Sequence, residues 1–362
     1  MTPNAYETGK MAFDHIIGQH RVIRLLRQAL IQGHLPHALL FTGMDGIGKR
    51  LMAVTLAKAL NCQDGTPGDC CNRCRSCRKA ASGNHPDISI IESEGPFIKI
   101  EQIRALQQRL RFRPLEGRCR VNILCNAQQM KAEAANALLK VLEEPPPENL
   151  IILTAFETTG LLPTIVSRCL HLRFQPLTGE EIASYLRQVH GEAPERADAA
   201  ARLAGGSLSR ALDLLDEQQL VRRRCLLETL GTLHRMQATE LLGATKAWIS
   251  QGADLGQDLE WVKTWTRDLL VHHLQAAGSE GFLNSDCAEE VKAAAPRFRP
   301  DQLLDLFDFL CLLQEGLRYN INKRLTVEAF LFFWRSLATG EESSGSPVRE
   351  LGKLSFAGSF YG

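Results

Sequence analysis

Along the first 175 positions, apolar residues fall into short solid runs separated by longer stretches of helical spacing. His37-Ala38-Leu39-Leu40-Phe41, Ile88–Ile91, Val121–Leu124 and Leu150–Thr154 are mostly apolar and only a few residues long, as expected of strands covered on both faces. From Gly48 to Leu60 the residues Leu51, Val54, Leu56, Ala57 and Leu60 keep helical spacing. Across Ala132–Glu144 the residues Ala134, Ala137, Leu138, Val141 and Leu142 do the same, until Pro145-Pro146-Pro147 ends the helix. Alternating strand and helix signals predict an α/β domain with a largely parallel sheet over residues 1–175.

The pattern then changes. Residues 176–219 read as a small helical domain: Thr178 with Glu181 suits a capping box, and Gly205-Gly206-Ser207 makes a turn before a helix carrying Arg210. Residues 220–338 read as an all-α bundle, with leucine-rich helices around Arg222–Leu233, Leu259–Leu274, Asp301–Leu317 and Thr326–Leu337. Gly340–Ser346 is rich in Gly, Ser and Glu, so residues 339–362 are expected to form a flexible tail.

Gly43-Met44-Asp45-Gly46-Ile47-Gly48-Lys49-Arg50 lies between the first predicted strand and helix and matches the phosphate-loop motif except at its last position. Gly43, Gly46, Gly48 and Lys49 are therefore candidate phosphate-binding residues, because amides at a helix start attract anions. At that last position Arg50 replaces the hydroxyl that would ligate Mg²⁺. The strand Val121–Leu124 continues into Cys125-Asn126, where a hydrolase would carry two acids to hold the metal and orient water. The loop is expected to bind nucleotide weakly or not at all and to hydrolyse none. The plainer alternative is an accidental glycine turn.

Cys62, Cys71, Cys74 and Cys77 stand at C-x8-C-x2-C-x2-C spacing. Four thiolates this close suit one structural Zn²⁺, with free thiols as the alternative; disulfides would need an oxidising compartment, for which no signal appears. Cys70 beside Cys71 blurs the fourth ligand. The other cysteines, Cys119, Cys125, Cys169, Cys225, Cys287 and Cys311, read as small buried hydrophobes. With 42 basic and 41 acidic residues the net charge is +1, so any nucleic-acid contact must be local. No apolar signal region and no run of about 18 apolar residues is found, which points to a cytoplasmic chain without a membrane span.

These features, with Ile17-Gly18-Gln19, His85-Pro86-Asp87, Asn136–Pro146, Ser167-Arg168-Cys169 and Asn320–Leu325, resemble the delta-prime subunits of the bacterial DNA polymerase III clamp loader, members of the AAA+ superfamily, over roughly residues 12 to 335. The sibling gamma/tau motor keeps an intact loop and acidic strand end. The resemblance implies a RecA-like domain, a small helical lid and a helical collar. It implies gamma/tau and delta partners in a hetero-pentameric ring that opens the sliding clamp and loads it on primed DNA. It further implies that Arg168 is a finger toward a neighbour's ATP, that Arg210 matches a nucleotide-sensing arginine, and that Asn320, Asn322 and Leu325 belong to a collar signature. Thr154 is the one polar candidate at the sensor strand. Lys99, Arg104, Arg109, Arg111, Arg113, Arg118 and Arg120 map near a helix that faces DNA, with a solvated basic face as the equal alternative. An active gamma/tau-type ATPase and a zinc-dependent nucleic-acid adaptor are the competing functions; the lost loop hydroxyl and acids oppose the first, the near-zero charge the second.

Overall fold

The structure is a computed structural model and describes residues 12–65, 67–93, 95, 97–250, 255–274, 281–318 and 322–340. It divides into two compact units, Met1–Asp213 and Leu214–Gly362. The expected flexible tail falls almost wholly on residues outside those described.

In the first unit α1 (His20–Gln32) precedes β1 (Ala38–Thr42), α2 (Lys49–Leu60), α3 (Arg75–Ala81), β2 (Ile88–Ile91), α4 (Ile100–Leu110) and β3 (Arg120–Leu124). The chain continues through α5 (Ala132–Glu143), β4 (Asn149–Ala155), α6 (Pro163–Val166) and β5 (Leu170–Arg173) to α7 (Gly179–Val189), α8 (Pro194–Leu203) and α9 (Leu208–Asp213). The five strands lie in the order β2-β3-β4-β1-β5, every pair parallel. β1 and β3 are buried at every position, which is why their sequences are solid rather than alternating. One core lies under α1 and α2 and contains Phe13, Leu26, Leu39, Phe41, Met52 and Ile123; another lies under α4 and α5 and contains Leu40, Ile103, Leu106, Leu138 and Leu153.

The predicted strands and helices all appear, most with boundaries moved by a residue or two. β5 is an addition: Leu170-His171-Leu172-Arg173 is a short edge strand with one buried residue, so it carries no apolar run. Residues 176–213 form α7 to α9 inside the first unit, and α7 starts with the Thr178–Glu181 capping box.

The second unit comprises α10 (Glu217–Thr232), α11 (Ala238–Ser250), α12 (Leu255–Leu274), α13 (Ala288–Ala294), α14 (Pro300–Arg318) and α15 (Lys323–Thr339). Its core gathers Leu230, Trp248, Trp265, Leu306, Phe330 and Trp334. Asn322 caps α15 by accepting from Arg324 N and Leu325 N at 3.0 and 3.3 Å; Asn320 lies outside the described residues. Among the described residues no helix is long and apolar enough to cross a membrane.

Candidate functional site

The phosphate loop leaves the carboxyl end of β1, an interior strand between β4 and the edge strand β5, and feeds α2. Gly46 and Gly48 have φ of 77° and 95°, conformations that admit glycine without strain. Within this turn Lys49 folds back, donating to Gly43 O and to Met44 O at 2.8 Å, with Asp45 Oδ1 at 3.5 Å. Burial lowers its ammonium below the ordinary value, while Asp45 pulls the other way. The turn before α9 closes over the same loop: Ser209 N donates to Gly46 O at 3.3 Å, and a Cβ added at Gly46 would stand 2.2 Å from Ser207 Oγ. Arg210 follows one step later, half-buried, its amide donating to Ser207 Oγ at 3.4 Å.

Arg50 places a cation in the first turn of α2, where the helix dipole already favours negative charge. Its guanidinium reaches Glu92, just beyond β2, at 2.7 Å. The β3 end is also committed, since Asn126 adopts a left-handed turn and donates its amide to Thr154 Oγ1 at 3.1 Å. Thr154 is thus a structural acceptor rather than an open sensor group. Burial raises the Cys125 thiol, with Arg50 opposing. Guanidinium, thiol and amide at these positions do not fit a Mg²⁺ donor set. Glu92 went unnoticed in the sequence, although an acid directly after an apolar strand is a readable signal.

Arg168 lies elsewhere. It follows α6 and precedes β5, with Nη2 2.8 Å from Glu143 Oε1 at the end of α5 and Nη1 donating to Thr164 O at 3.0 Å. The parallel register sets Leu39 against Leu170 and Thr42 against Arg173. The loop therefore extends from one end of the sheet and Arg168 from the other, roughly 15–20 Å apart along the strand direction at about 3.3 Å per residue. No rotamer of Arg168 reaches its own loop.

Cys62, Cys71, Cys74 and Cys77 converge, their sulfurs all within 4.8 Å of one another. The Cys62 sulfur lies 3.5, 4.0 and 3.7 Å from those of Cys71, Cys74 and Cys77. Four sulfurs at the 2.3 Å Zn–S distance would stand about 3.8 Å apart along each tetrahedral edge, so the group fits a four-coordinate metal. The amides of Cys71, Cys74 and Cys77 each donate to the sulfur of the preceding ligand at 3.3 to 3.4 Å. Burial pushes the Cys62 thiol up to about 12; at Cys74 burial acts the same way, but amide and thiol donors outweigh it and bring the group down to about 6. Cys70 is buried against the same group, its thiol donating to Asn72 Oδ1 at 3.5 Å and standing close enough to Cys77 to push that thiol up, although it is not one of the four converging sulfurs. None of the eleven cysteines is in a disulfide, and Cys225 and Cys311 are exposed, contrary to the buried role expected of them.

Among the basic residues between Lys99 and Arg120, Arg120 departs from the exposure of the others. Arg120 is buried in β3 and 3.2 Å from the fully buried Asp87, which removes it from any nucleic-acid surface. Arg104, Arg109, Arg111, Arg113 and Arg118 are exposed on α4 and the loop after it.

Residues 18–178 match the family described as DNA polymerase III, delta subunit, and residues 217–336 match DNA polymerase III, delta subunit, C terminal. The chain is 42% identical to the Bacillus subtilis DNA polymerase III subunit delta' over 168 residues, covering 46% of this chain and 51% of that one. It is 31% identical to the Pseudomonas aeruginosa delta' over 307 residues, covering 83% and 92%. It is also 30% identical to Escherichia coli subunit tau, covering 90% of this chain and 54% of that one. The chain thus spans about half the length of the first of these curated relatives and of tau. A solved gamma subunit-related protein from Thermotoga maritima is 20% identical with a TM-score of 0.46, covering 87% and 99%. The near-complete overlap with the Pseudomonas protein, together with the two family matches, establishes that the chain belongs to the DNA polymerase III delta' subunit family, within the clamp-loader subunits.

Proposed function

We propose that this chain is a non-hydrolysing clamp-loader subunit whose Arg168 completes the ATP site of a neighbouring subunit. The observation that carries this is the separation of the two elements: the loop closes on itself at one end of the sheet, and Arg168 stands at the other. A chain built so cannot use the arginine on its own nucleotide and can offer it to a neighbour's. Arginine suits that task because its fixed charge stabilises phosphoryl-transfer charge without changing protonation. The partners are gamma/tau and delta subunits in a hetero-pentameric ring in the cytoplasm. Through that ring the chain helps open the sliding clamp and set it on primed DNA. The three-part division into α/β domain 1–175, lid 176–219 and collar 220–338 belongs to the same proposal.

Cys62, Cys71, Cys74 and Cys77 hold one Zn²⁺, which would crosslink the segment between α2 and α3 and, with four protein ligands, leave no position for water. The similarity to tau invites the competing role of an active ATPase. The Arg50–Glu92 pair, standing where metal would be held, speaks against it.

Size-exclusion chromatography with gamma/tau and delta tests assembly, and Arg168→Ala tests the finger. The Glu143 pair is a partly exposed one worth about 0–1 kcal/mol, so the variant should fold and assemble. Loss of a supplied finger costs on the order of 10³–10⁵ in rate at its site, so one neighbouring site falls silent and total ATPase drops partially. Wild-type ATPase and clamp loading in the variant ring would refute the role.

A further inference from the structure

Glu143 stands where its own helix does not favour it. It is the last residue of α5, where the final carbonyls and the helix dipole already present negative charge, and a second acid, Glu144, caps the helix directly after it. What offsets this is a cation from another element, the Arg168 guanidinium beyond α6, whose Nη2 lies 2.8 Å from Glu143 Oε1.

The backbone on both sides of this contact is held by other means. Leu138 and Leu142 of α5 share one core with the fully buried Ile165 of α6. After Glu144 the chain turns through Pro145-Pro146-Pro147, where Asn149 Nδ2 donates to Pro146 O and Pro147 O at 3.3 and 2.8 Å. Pro163 opens α6 with its backbone angle already set, and the Arg168 amide donates to Ile165 O at 3.1 Å. Thr164 O accepts twice, from Ser167 Oγ at 3.2 Å and from Arg168 Nη1 at 3.0 Å. An ion pair whose side chains are 36% and 49% exposed adds little to the stability of such a frame. What the pair does fix is the guanidinium.

A free arginine side chain spreads over many rotamers, and a finger must find one of them at the moment of reaction. Thr164 O on Nη1 and Glu143 Oε1 on Nη2 select one placement in advance, from two different elements. They engage two of the five guanidinium donors, so the other three can serve a phosphate while the carboxylate keeps its hold. Charge ordered before the reaction needs no reorganisation during it.

We infer that Glu143 is a positioning residue for Arg168: it fixes the guanidinium before a neighbour's nucleotide arrives, so that the γ-phosphate meets a cation already in place. This rests on the finger role proposed above, and Glu143 acts through Arg168 alone.

The test is single-turnover ATP hydrolysis by the ring reconstituted with gamma/tau and delta, with assembly checked by size exclusion. The kinetic phase that Arg168→Ala slows marks the adjoining site. Glu143→Ala should slow that phase by about 10-fold, far less than loss of the finger, and leave the ATP concentration for half-maximal rate unchanged. Glu143→Gln keeps an oxygen that can accept from Nη2 and should stay within about threefold of wild type. Glu143→Asp, one methylene shorter, should fall between the two. In an Arg168→Ala background Glu143→Ala should add nothing, because no finger is left to place. A wild-type rate for Glu143→Ala, a faster phase, or equal slowing by the Gln and Ala variants overturns the positioning role while leaving the finger standing. A full effect of Glu143→Ala on top of Arg168→Ala does the same. If the Ala variant does not assemble, Glu143→Asp decides, and a wild-type phase from it overturns the role. A ring whose rates Arg168→Ala leaves unchanged loses the finger itself, and the role of Glu143 with it.

Discussion

At the scale of single residues, Asp87 shows how much one buried carboxylate can organise. Burial alone would raise it, but the amides of Glu116, Gly117 and Leu115 and the Arg120 guanidinium hold it below its ordinary 3.8. A folded value below the unfolded one contributes stability that is complete above about pH 4 and fades as pH falls through the folded value. Asp87→Asn should therefore cost about 3 kcal/mol at pH 7, because it strands Arg120, and should lessen the loss of stability on acidification. Urea titrations at pH 7 and pH 3.5 measure both. His85 supports the same corner: Asp87 N donates to His85 Nδ1 at 3.1 Å, which leaves Nε2–H for Ser76 Oγ at 3.1 Å. The His85-Pro86-Asp87 triplet was visible in the sequence as a family mark, but its work was not, because the amides it serves lie almost thirty residues downstream. Arg120 was misjudged as a surface cation for the same reason: charge is legible in a sequence, burial of a charge is not.

Among elements, the segment between α2 and α3 and the turn before α9 carry the fold's special features. The four thiols were legible because tetrahedral ligation demands close spacing; their attachment was not. Asp69 ties them to the rest, accepting from the amides of Ala12 and Cys70 at 3.1 and 2.7 Å and from Arg27 at 2.8 Å. Cys77→Ala should abolish the zinc content proposed for the site and lower the melting temperature of the first unit by roughly 5–10 °C, read by metal analysis and calorimetry. The closed phosphate loop makes a separate prediction. Gly46→Ala forces a Cβ into Ser207 Oγ at a φ of 77° and should destabilise the unit by on the order of 1–3 kcal/mol. Adding Ser207→Gly should return the part due to Ser207 Oγ and leave both the 2.9 Å approach to Ser209 Cβ and the backbone part, as chemical denaturation of the two variants would reveal. The helices α1, α3, α6, α8, α11 and α13 lay outside the elements named from the sequence. In α1 Val22, Ile23 and Leu26 do keep helical spacing and were simply overlooked; α11 has Thr and Gly breaking its stripe, and α13 is only seven residues long.

For the whole molecule, the parallel sheet fixes where chemistry can occur. The isolated chain should show no ATP turnover above a contaminant-free baseline, and Arg50→Thr alone should not create it, because Cys125 and Asn126 still supply no carboxylate. A phosphate-release assay on both proteins decides this. The sheet's polarity has a further consequence. An active sibling in a ring both receives an arginine and gives one, so a ring of identical siblings would have as many working sites as junctions. A chain that gives without receiving subtracts one. Under the proposed role, every ring that includes it has a junction with no chemistry, at a position fixed by this chain's identity rather than by chance, and hydrolysis around the ring acquires an end point. Under that role, symmetry is lost through one subunit's missing carboxylates, always at the same junction.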